Sequence, residues 1–421
     1  MAFRFVHTAD IHLDSPLRSL ALKDKTLANI VRSATREAFQ RICRLCIEED
    51  AEALLIAGDL YDGDRTSMKT GAFLAAELSA LAEAGVRVFI VRGNHDALSS
   101  ITKRLDLPDA VHVFDMRGAP QIFEARDGQR IAVHGVSFNA PHIEDSLLPR
   151  YKPAVPDAVN IGLMHTSLEG AEGHDPYAPV SLQALMQHGY HYWGLGHIHK
   201  RSVASGAATV VMPGIPQGRH INEDGPKSVT LGTVSDDGAI SVEERIVAGA
   251  VFQRASARLP ADGGMAALRA AAMETLTAVR DAAAPAAAIV RLKLEGDTAD
   301  LWRLRRDADL VLDSVRQAAE ALGQVWVERL DFADAAPPKA TAGDMAIGAL
   351  ADHLDAVRAD PGFLADAEAE LEALIGSRVF PPELRDAFAA DADALSATID
   401  RHAADGAAEV LARLAAADAP G

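Results

Sequence analysis

The chain has 421 residues, a formal net charge of −19, 49% apolar and 5% aromatic residues and only two cysteines. That length suggests two to four domains, and the apolar content excludes wholesale disorder. The acidic balance argues against a general nucleic-acid coat or a polybasic membrane binder, and the scarcity of aromatics argues against reading single strands mainly by stacking. Two cysteines exclude a disulfide framework and point to a reducing, cytoplasmic compartment. The first residues carry no secretion-signal pattern, and no apolar run approaches the roughly 18–20 residues of a membrane span. Charge is unevenly spread: residues 1–250 hold 24 basic and 31 acidic side chains (net −7), 251–339 hold 12 and 13 (net −1), and 340–421 hold 5 and 16 (net −11).

In chain order, residues 3–7 read as a strand and 27–48 as a helix with Phe39, Ile42, Cys43, Cys46 and Ile47 on one face. Short apolar strands are expected at 53–56 and 86–91, with a helix over 67–84 between them. Consecutive strands follow at 111–114, 121–125 and 131–138, then a strand at 159–164, a helix at 181–189 and a strand at 190–195. Segments 209–212, 228–234 and 240–246 read as a meander. Continuous apolar runs mark strands buried on both faces, so the fold class is α/β with a layered core. From 251 the rhythm changes to strand 251–259, helix 264–280, strand 287–294, helix 299–322 and strand 325–332, a small βαβαβ domain. The paired prolines Pro337 and Pro338 mark a linker, and two or three acidic helices are expected beyond it. The chain therefore divides into 1–250, 251–335 and 336–421.

Metal-ligand residue types recur just after the expected strands: Asp10-Ile-His12, Gly58-Asp59-Leu-Tyr-Asp62, Gly93-Asn94-His95-Asp96, His165, and Gly196-His197-Ile-His199. Residues past the carboxyl ends of strands converge on one rim of an open sheet. Glycines at 58, 93 and 196 are expected to let the backbone turn sharply beside them. Asp10, His12, Asp59, Asn94, His165, His197 and His199 would give seven mixed nitrogen and oxygen donors. Seven are too many for one tetrahedral zinc and suit two ions bridged by one carboxylate, Mn²⁺, Fe²⁺ or Zn²⁺ rather than Ca²⁺. A water bridging two cations has its pKa pulled towards neutrality, which supplies hydroxide for in-line attack on phosphorus.

This ordered set of motifs resembles the calcineurin-like metallophosphoesterases. Three stretches, His7-Thr-Ala-Asp-Ile-His12-Leu-Asp14, Ala57–Asp62 and Tyr192–His199, resemble the DNA double-strand-break repair exonucleases of the SbcD-like kind. Tyr177-Ala-Pro179 and the Pro213–Arg219 turn resemble their bacterial YhaO-like branch. The resemblance implies a four-layer αββα core with a small α+β capping domain over 251–335 and a helical region over 336–421. It implies Asp10, His12 and His199 on a first metal, Asn94, His165 and His197 on a second, and Asp59 bridging them, with manganese the expected ion. His95 would stand over the scissile phosphate as acid or charge stabiliser, oriented by Asp62. DNA is the implied substrate, and the capping domain would help select it. A coiled-coil ATPase would dock on the C-terminal region, and a homodimer through helices of the catalytic domain is left open. The alternative enzyme reading is a phosphodiesterase or phosphatase for a small nucleotide; the non-enzymatic one is a scaffold, against which the intact ligand set argues.

Blander readings apply elsewhere. Cys43-x-x-Cys46 lies on an apolar helix stripe and reads as core packing. His134 reads as a strand residue near the site rim. Arg219 and His220 read equally as phosphate contacts or as an exposed loop. Arg303, Arg305 and Arg306 read as a solvated helix face. Leu350, Leu354, Leu371, Leu374 and Ile375 are candidates for packing on a partner.

Overall fold

The computed structural model describes residues 2–15, 25–61, 67–96, 107–138, 143–168, 177–260, 264–333, 345–376 and 392–417. The first part of the chain runs β1 (Phe3–Thr8), α1 (Lys25–Glu48), β2 (Ala53–Ala57), α2 (Met68–Glu83), β3 (Arg87–Val91), β4 (Val111–Val113), β5 (Gln121–Glu124) and β6 (Arg130–Gly135). It continues through β7 (Val159–His165), α3 (Leu182–Gln187), β8 (Tyr192–Gly196), β9 (Ser202–Ser205), β10 (Thr209–Met212), β11 (Ser228–Val234) and β12 (Ile240–Ile246). Two six-stranded sheets result, in the orders β12-β11-β1-β2-β3-β4 and β5-β6-β7-β8-β10-β9.

The sheets face each other, and the layer between them is the core that the continuous apolar runs require. Phe5, Leu55, Phe89 and Val91 of the first sheet meet Ile131, Val133, Ile161, Leu163 and Tyr192 of the second. The other face of the first sheet, with Val6, Leu54, Ile56, Val88 and Ile90, is covered by Phe39, Ile42 and Cys46 of α1 and Leu74, Leu78 and Leu81 of α2. On the outer face of the second sheet, Met164, Trp193 and Leu195 pack with Tyr151, Tyr177 and Leu185. This is the layered α/β architecture expected from the sequence. Side chains alternate between faces along each strand, so one five-residue run such as Ala53–Ala57 feeds both cores.

Register aligns the strand ends. In the parallel pairs Thr8 lies opposite Ile56, Ala57 opposite Val91, and His165 opposite Gly196. The turns that follow β1, β2, β3, β7 and β8 therefore leave the sheets side by side.

Several local expectations change. The three strands expected as consecutive divide between sheets, since β4 pairs with β3 while β5 pairs with β6. The expected meander is likewise split: β10 pairs with β8 and β9, and β11 and β12 join β1. Strand β9, a mostly exposed edge with no apolar run, was not expected. Ile47 is 49% exposed, unlike the rest of the α1 stripe, because it lies in the last turn beyond the reach of the sheet. Cys43 and Cys46 are buried free thiols, and burial raises the pKa of both, which leaves them inert core residues. His134 packs its ring against Tyr190 and bonds Asn160 Oδ1 at 2.9 Å; it sits on the outer face of the second sheet, not at the site rim.

The rest of the chain comprises β13 (Ala250–Arg258), α4 (Met265–Ala283), β14 (Ala287–Glu295), α5 (Thr298–Arg306), α6 (Ala308–Leu322), β15 (Val325–Phe332), α7 (Met345–Arg358), α8 (Pro361–Gly376) and α9 (Ala392–Ala417). The single helix expected over 299–322 is two, with Asp307 leaving helical geometry between them. The strands form a three-stranded sheet in the order β13-β14-β15. Two compact units are distinguishable: one comprises 1–254, 279–290 and 324–328, the other 255–278, 291–323 and 329–421. Within the first, Ala250, Phe252 and Ile289 pack with Ala34 of α1 and Ile221. Within the second, Leu350 and Leu354 pack with Trp302 and Leu411, and Leu371 and Ile375 with Leu395 and Ile399. Of the five residues considered for a partner, four are thus used by the chain's own helices, and Leu374 is exposed. Arg305 pairs with Asp405 at 3.0 Å and Arg306 with Asp307 at 2.7 Å; the side chain of Arg303 lies outside the described residues. No helix among the described residues is long and apolar enough to cross a membrane.

Candidate metal centre

The strand-end turns are built to an unusual backbone plan. Asp10, His12, Asp59 and His197 all have positive φ, at 51°, 44°, 51° and 101°. Residues with a Cβ rarely adopt this region, and persist there only where their surroundings fix them. Here the turns hold one another: Asp10 N–H donates to Gly58 O, His12 N–H to Asp59 O, and His197 N–H to the Asp10 carboxylate at 2.9 and 3.0 Å.

The glycines serve two purposes. Gly58, at φ +94°, supplies the sharp turn expected of it. Gly93 and Gly196 supply space instead: a Cβ on Gly93 would lie 2.2 Å from Asp59 Oδ1, and one on Gly196 would lie 2.0 Å from Ala57 O.

Two donor clusters share Asp10. One is Asp10, His12 and His199; the other is Asp10, Asp59 and His165; in each, one ligand atom per residue lies within 4.8 Å of the others. His12 Nε2 and His199 Nε2 are 3.3 Å apart, and His165 Nε2 is 3.5 Å from Asp59 Oδ2. Ligands at about 2.1 Å from a common ion stand roughly 3.0–3.4 Å apart in octahedral or tetrahedral geometry. Asn94 Oδ1 stands 2.9 Å from His165 Nε2. The His197 ring stands 5.2 Å, centre to centre, from that of His165 and stacks on Tyr177 at 5.2 Å and 23°. All seven residues expected as ligands are thus brought to one rim.

Ring tautomers follow from what lies behind each histidine. His165 Nδ1 is 3.0 Å from Ala57 O, which only accepts, so Nδ1 carries the proton and Nε2 presents its lone pair. His199 Nδ1 lies 2.8 Å from Glu223 Oε1 and 3.2 Å from the Arg219 guanidinium; the shorter contact, to an oxygen that only accepts, places the proton on Nδ1. Metal-binding histidines characteristically donate their second nitrogen in this way. Buried donors with lone pairs converging fit a pair of divalent ions.

Electrostatics agree. On the protein's own groups, burial pushes the Asp59 carboxyl up to about 6, against the pull of His95. Burial and the neighbouring charge of Asp59 raise Asp10 well above the usual carboxylate range. Burial holds His165 down to about 3, and His12 and His199 are lowered from the same first cause. Packing acids and imidazoles out of water is costly for their charged forms; cations would offset that cost for the carboxylates and bind the imidazoles in the neutral form that burial favours.

His95 differs from the others. Its side chain is 41% exposed, its ring lies edge-on to His12 at 5.1 Å, and its Nε2 is 4.0 Å from Asp59 Oδ2. It therefore borders the donor clusters and opens to solvent. Asp62 lies outside the described residues.

Two carboxylates were not singled out from the sequence. Asp96 accepts from Leu60, Tyr61 and Gly93 N–H at 3.0–3.2 Å, tying the second turn to the third; burial and Asp59 push it up to about 7. Its signal was in plain view in Gly93–Asp96. Glu223, behind His199, stands 24 residues downstream and has no motif to announce it. Arg219 is half-buried rather than in an exposed loop: its guanidinium is ion-paired to Glu223 at 2.9 Å and stands 3.2 Å from His199 Nδ1.

A two-sheet core with mixed carboxylate, amide and imidazole donors at the strand ends is the arrangement of a metallophosphoesterase, and residues 3–201 match the family described as calcineurin-like phosphoesterase. Residues 252–333 match the middle domain of metallophosphoesterase YhaO. The chain is 32% identical over 357 residues to the uncharacterized metallophosphoesterase YhaO of Bacillus subtilis (strain 168), covering 83% of this chain and 86% of that protein. It belongs to the calcineurin-like metallophosphoesterase family. More distant matches include the DNA double-strand break repair protein Mre11 of Methanopyrus kandleri, 27% identical over 209 residues (47% of this chain, 44% of that one). A subunit of the SbcCD nuclease of Rhodobacter capsulatus is 34% identical over 111 residues (26% and 24%).

Proposed function

We propose that the chain is a two-metal phosphodiesterase that cleaves DNA, with Mn²⁺ as its working ion and a coiled-coil ATPase as a partner subunit. The observation that carries the chemistry is the convergence of two adjoining donor clusters, Asp10–His12–His199 and Asp10–Asp59–His165, beside the solvent-open His95. The DNA reading is supported by relatives named as a break-repair protein and as a nuclease subunit, which match 47% and 26% of this chain.

Asp10, His12 and His199 would hold one ion and Asn94, His165 and His197 the other, with Asp59 between them. When bound, such ions supply charge for the phosphate and a water acidic enough to ionise near neutral pH. The chain's own contributions are positional. Asp96 fixes the two turns that carry Asp59 and His95. His95 N–H holds Asp59 Oδ1 at 3.1 Å, which leaves Oδ2 facing His165 and the His95 ring. From its open position His95 delivers a proton to the leaving oxygen as the ester bond breaks.

The −19 charge is compatible with this reading. More than half of it lies beyond residue 340, and two divalent ions would place about four positive charges where the phosphate binds.

The test uses the full chain with Mn²⁺ on a bis-aryl phosphate, a mono-aryl phosphate, and end-labelled single- and double-stranded DNA. Faster turnover of the diester, and cleavage of DNA that Asp59→Ala abolishes, are expected. Diester hydrolysis without cleavage of any DNA, alone or with an ATPase partner, would overturn the nuclease reading and favour a small nucleotide substrate.

A further inference from the structure

Two of the histidines in the donor clusters are fixed from behind by quite different means. His165 leans on the backbone carbonyl of Ala57, which no substitution removes. His199 leans on a side chain, Glu223, at 2.8 Å.

Glu223 is itself held on both oxygens. Arg219 donates its backbone N–H to Oε2 at 2.7 Å and its guanidinium to Oε1 at 2.9 Å. The loop that presents the pair is pinned at both flanks. Gln217 accepts from Gly249 and Ala250 N–H and donates to Ala250 O. Gly225 N–H donates to Phe252 O, and Arg254 donates to Ile221 O. The carboxylate is buried, with its side chain 8% exposed. Such a group is expensive to bury unless it is paired and fully hydrogen-bonded.

We infer that Glu223 is the positioning residue of the Asp10–His12–His199 cluster: by accepting the Nδ1 proton of His199 it commits Nε2 to a divalent ion. Arg219 neutralises the carboxylate and stops it from turning to bind the ion itself. The inference rests on the two-metal reading above and specifies which residue sets the affinity of one of its two sites.

The experiment is a calorimetric Mn²⁺ titration of the chelator-stripped full chain. Wild type is expected to bind two ions. Glu223→Ala is expected to weaken one of them by about 10–100-fold and leave the other unchanged, the usual scale for losing such a partner. Glu223→Gln keeps an oxygen that accepts from Nδ1–H, and is expected to recover most of the lost affinity. Ring nitrogen NMR shifts of His199 in the stripped protein give a second readout. Wild type and Glu223→Gln should show the Nδ1-protonated tautomer, and Glu223→Ala a mixture. Two unweakened ions in Glu223→Ala would overturn the inference. So would a Glu223→Gln variant as weak as Glu223→Ala, since an oxygen accepting from Nδ1–H would then not set the affinity. Wild type that binds fewer than two ions would instead overturn the two-metal reading.

Discussion

Asn94 Oδ1 and His165 Nε2 stand 2.9 Å apart, and the imidazole proton is committed to Ala57 on the far side of the ring. With Asn94 so oriented, two electron-rich atoms meet without a hydrogen between them. A cation reconciles them, and the same holds for the burial of Asp10 and Asp59 beside each other. The rim is an arrangement whose energy improves when ions enter.

Asp59→Asn should therefore change stability in opposite directions with and without metal. Above about pH 6 the folded chain holds Asp59 ionised at a cost, because burial has lifted its pKa from 3.8 to about 6. Between those values the folded state binds more protons than the unfolded one, so this group's contribution falls as pH rises. Asparagine is neutral and keeps an oxygen for the His95 N–H. At pH 7.5 with chelator the variant should melt higher than wild type; with saturating Mn²⁺ it should melt lower and lose at least about 10³-fold in diester hydrolysis. Melting curves under both conditions check this, and a variant that melts lower in both refutes it.

His95→Asn should separate chemistry from metal binding. Its ring borders the clusters and stays open to solvent. The variant should bind two ions with wild-type affinity and lose about 10²–10⁴-fold in kcat on diesters with a poor leaving group. With an acidic phenol as leaving group, which needs no proton, the loss should be much smaller. Equal losses on both substrates would show that His95 is not the acid.

Much of this was legible in the sequence because strands and ligands advertise themselves locally. The run Leu54–Ile56 is apolar since both faces are covered, and Asp59 follows at a fixed distance because the turn must close. What was not legible depends on distant partners. Whether β10 joins β8 or β11 is decided by packing across the sheet, not by its own Thr-Val-Val-Met. Glu223 gains its role only because the chain returns beside His199. Ile47 follows its helical stripe faithfully and still faces solvent, since periodicity does not say where the covered surface ends.

Gly93→Ala should damage the centre through volume alone. The added carbon would lie 2.2 Å from Asp59 Oδ1 and 2.8 Å from the Asp59 backbone nitrogen, neither of which can retreat while Asp96 ties the turns. Overpacking of this kind costs about 1–3 kcal/mol. The variant should melt several degrees lower and bind Mn²⁺ at least 10-fold more weakly. By contrast Gly128→Ala, where nothing lies within 4 Å of the added carbon but φ is +87°, should cost stability without touching metal affinity.

His7 provides a pH test that does not touch a ligand. It lies fully buried on β1, with Nδ1 2.8 Å from the Tyr192 hydroxyl across the two sheets. Burial, reinforced by the charge of Arg201, holds its pKa down to about 3. The unfolded chain takes up a proton at this residue below about pH 6.5, and the folded chain does not until about pH 3. Stability from this group is therefore fully present above pH 6.5 and falls as pH drops through that window, by about 1.4 kcal/mol per unit once well inside it. In His7→Gln the amide still reaches Tyr192 but does not titrate. Denaturant unfolding in chelator at pH 7.5 and pH 5 should show the variant less stable at pH 7.5, yet losing about 2 kcal/mol less than wild type on acidification. His12, His165 and His199 titrate alike in both proteins and cancel in that difference. Parallel losses in the two proteins would mean that His7 is protonated in the fold.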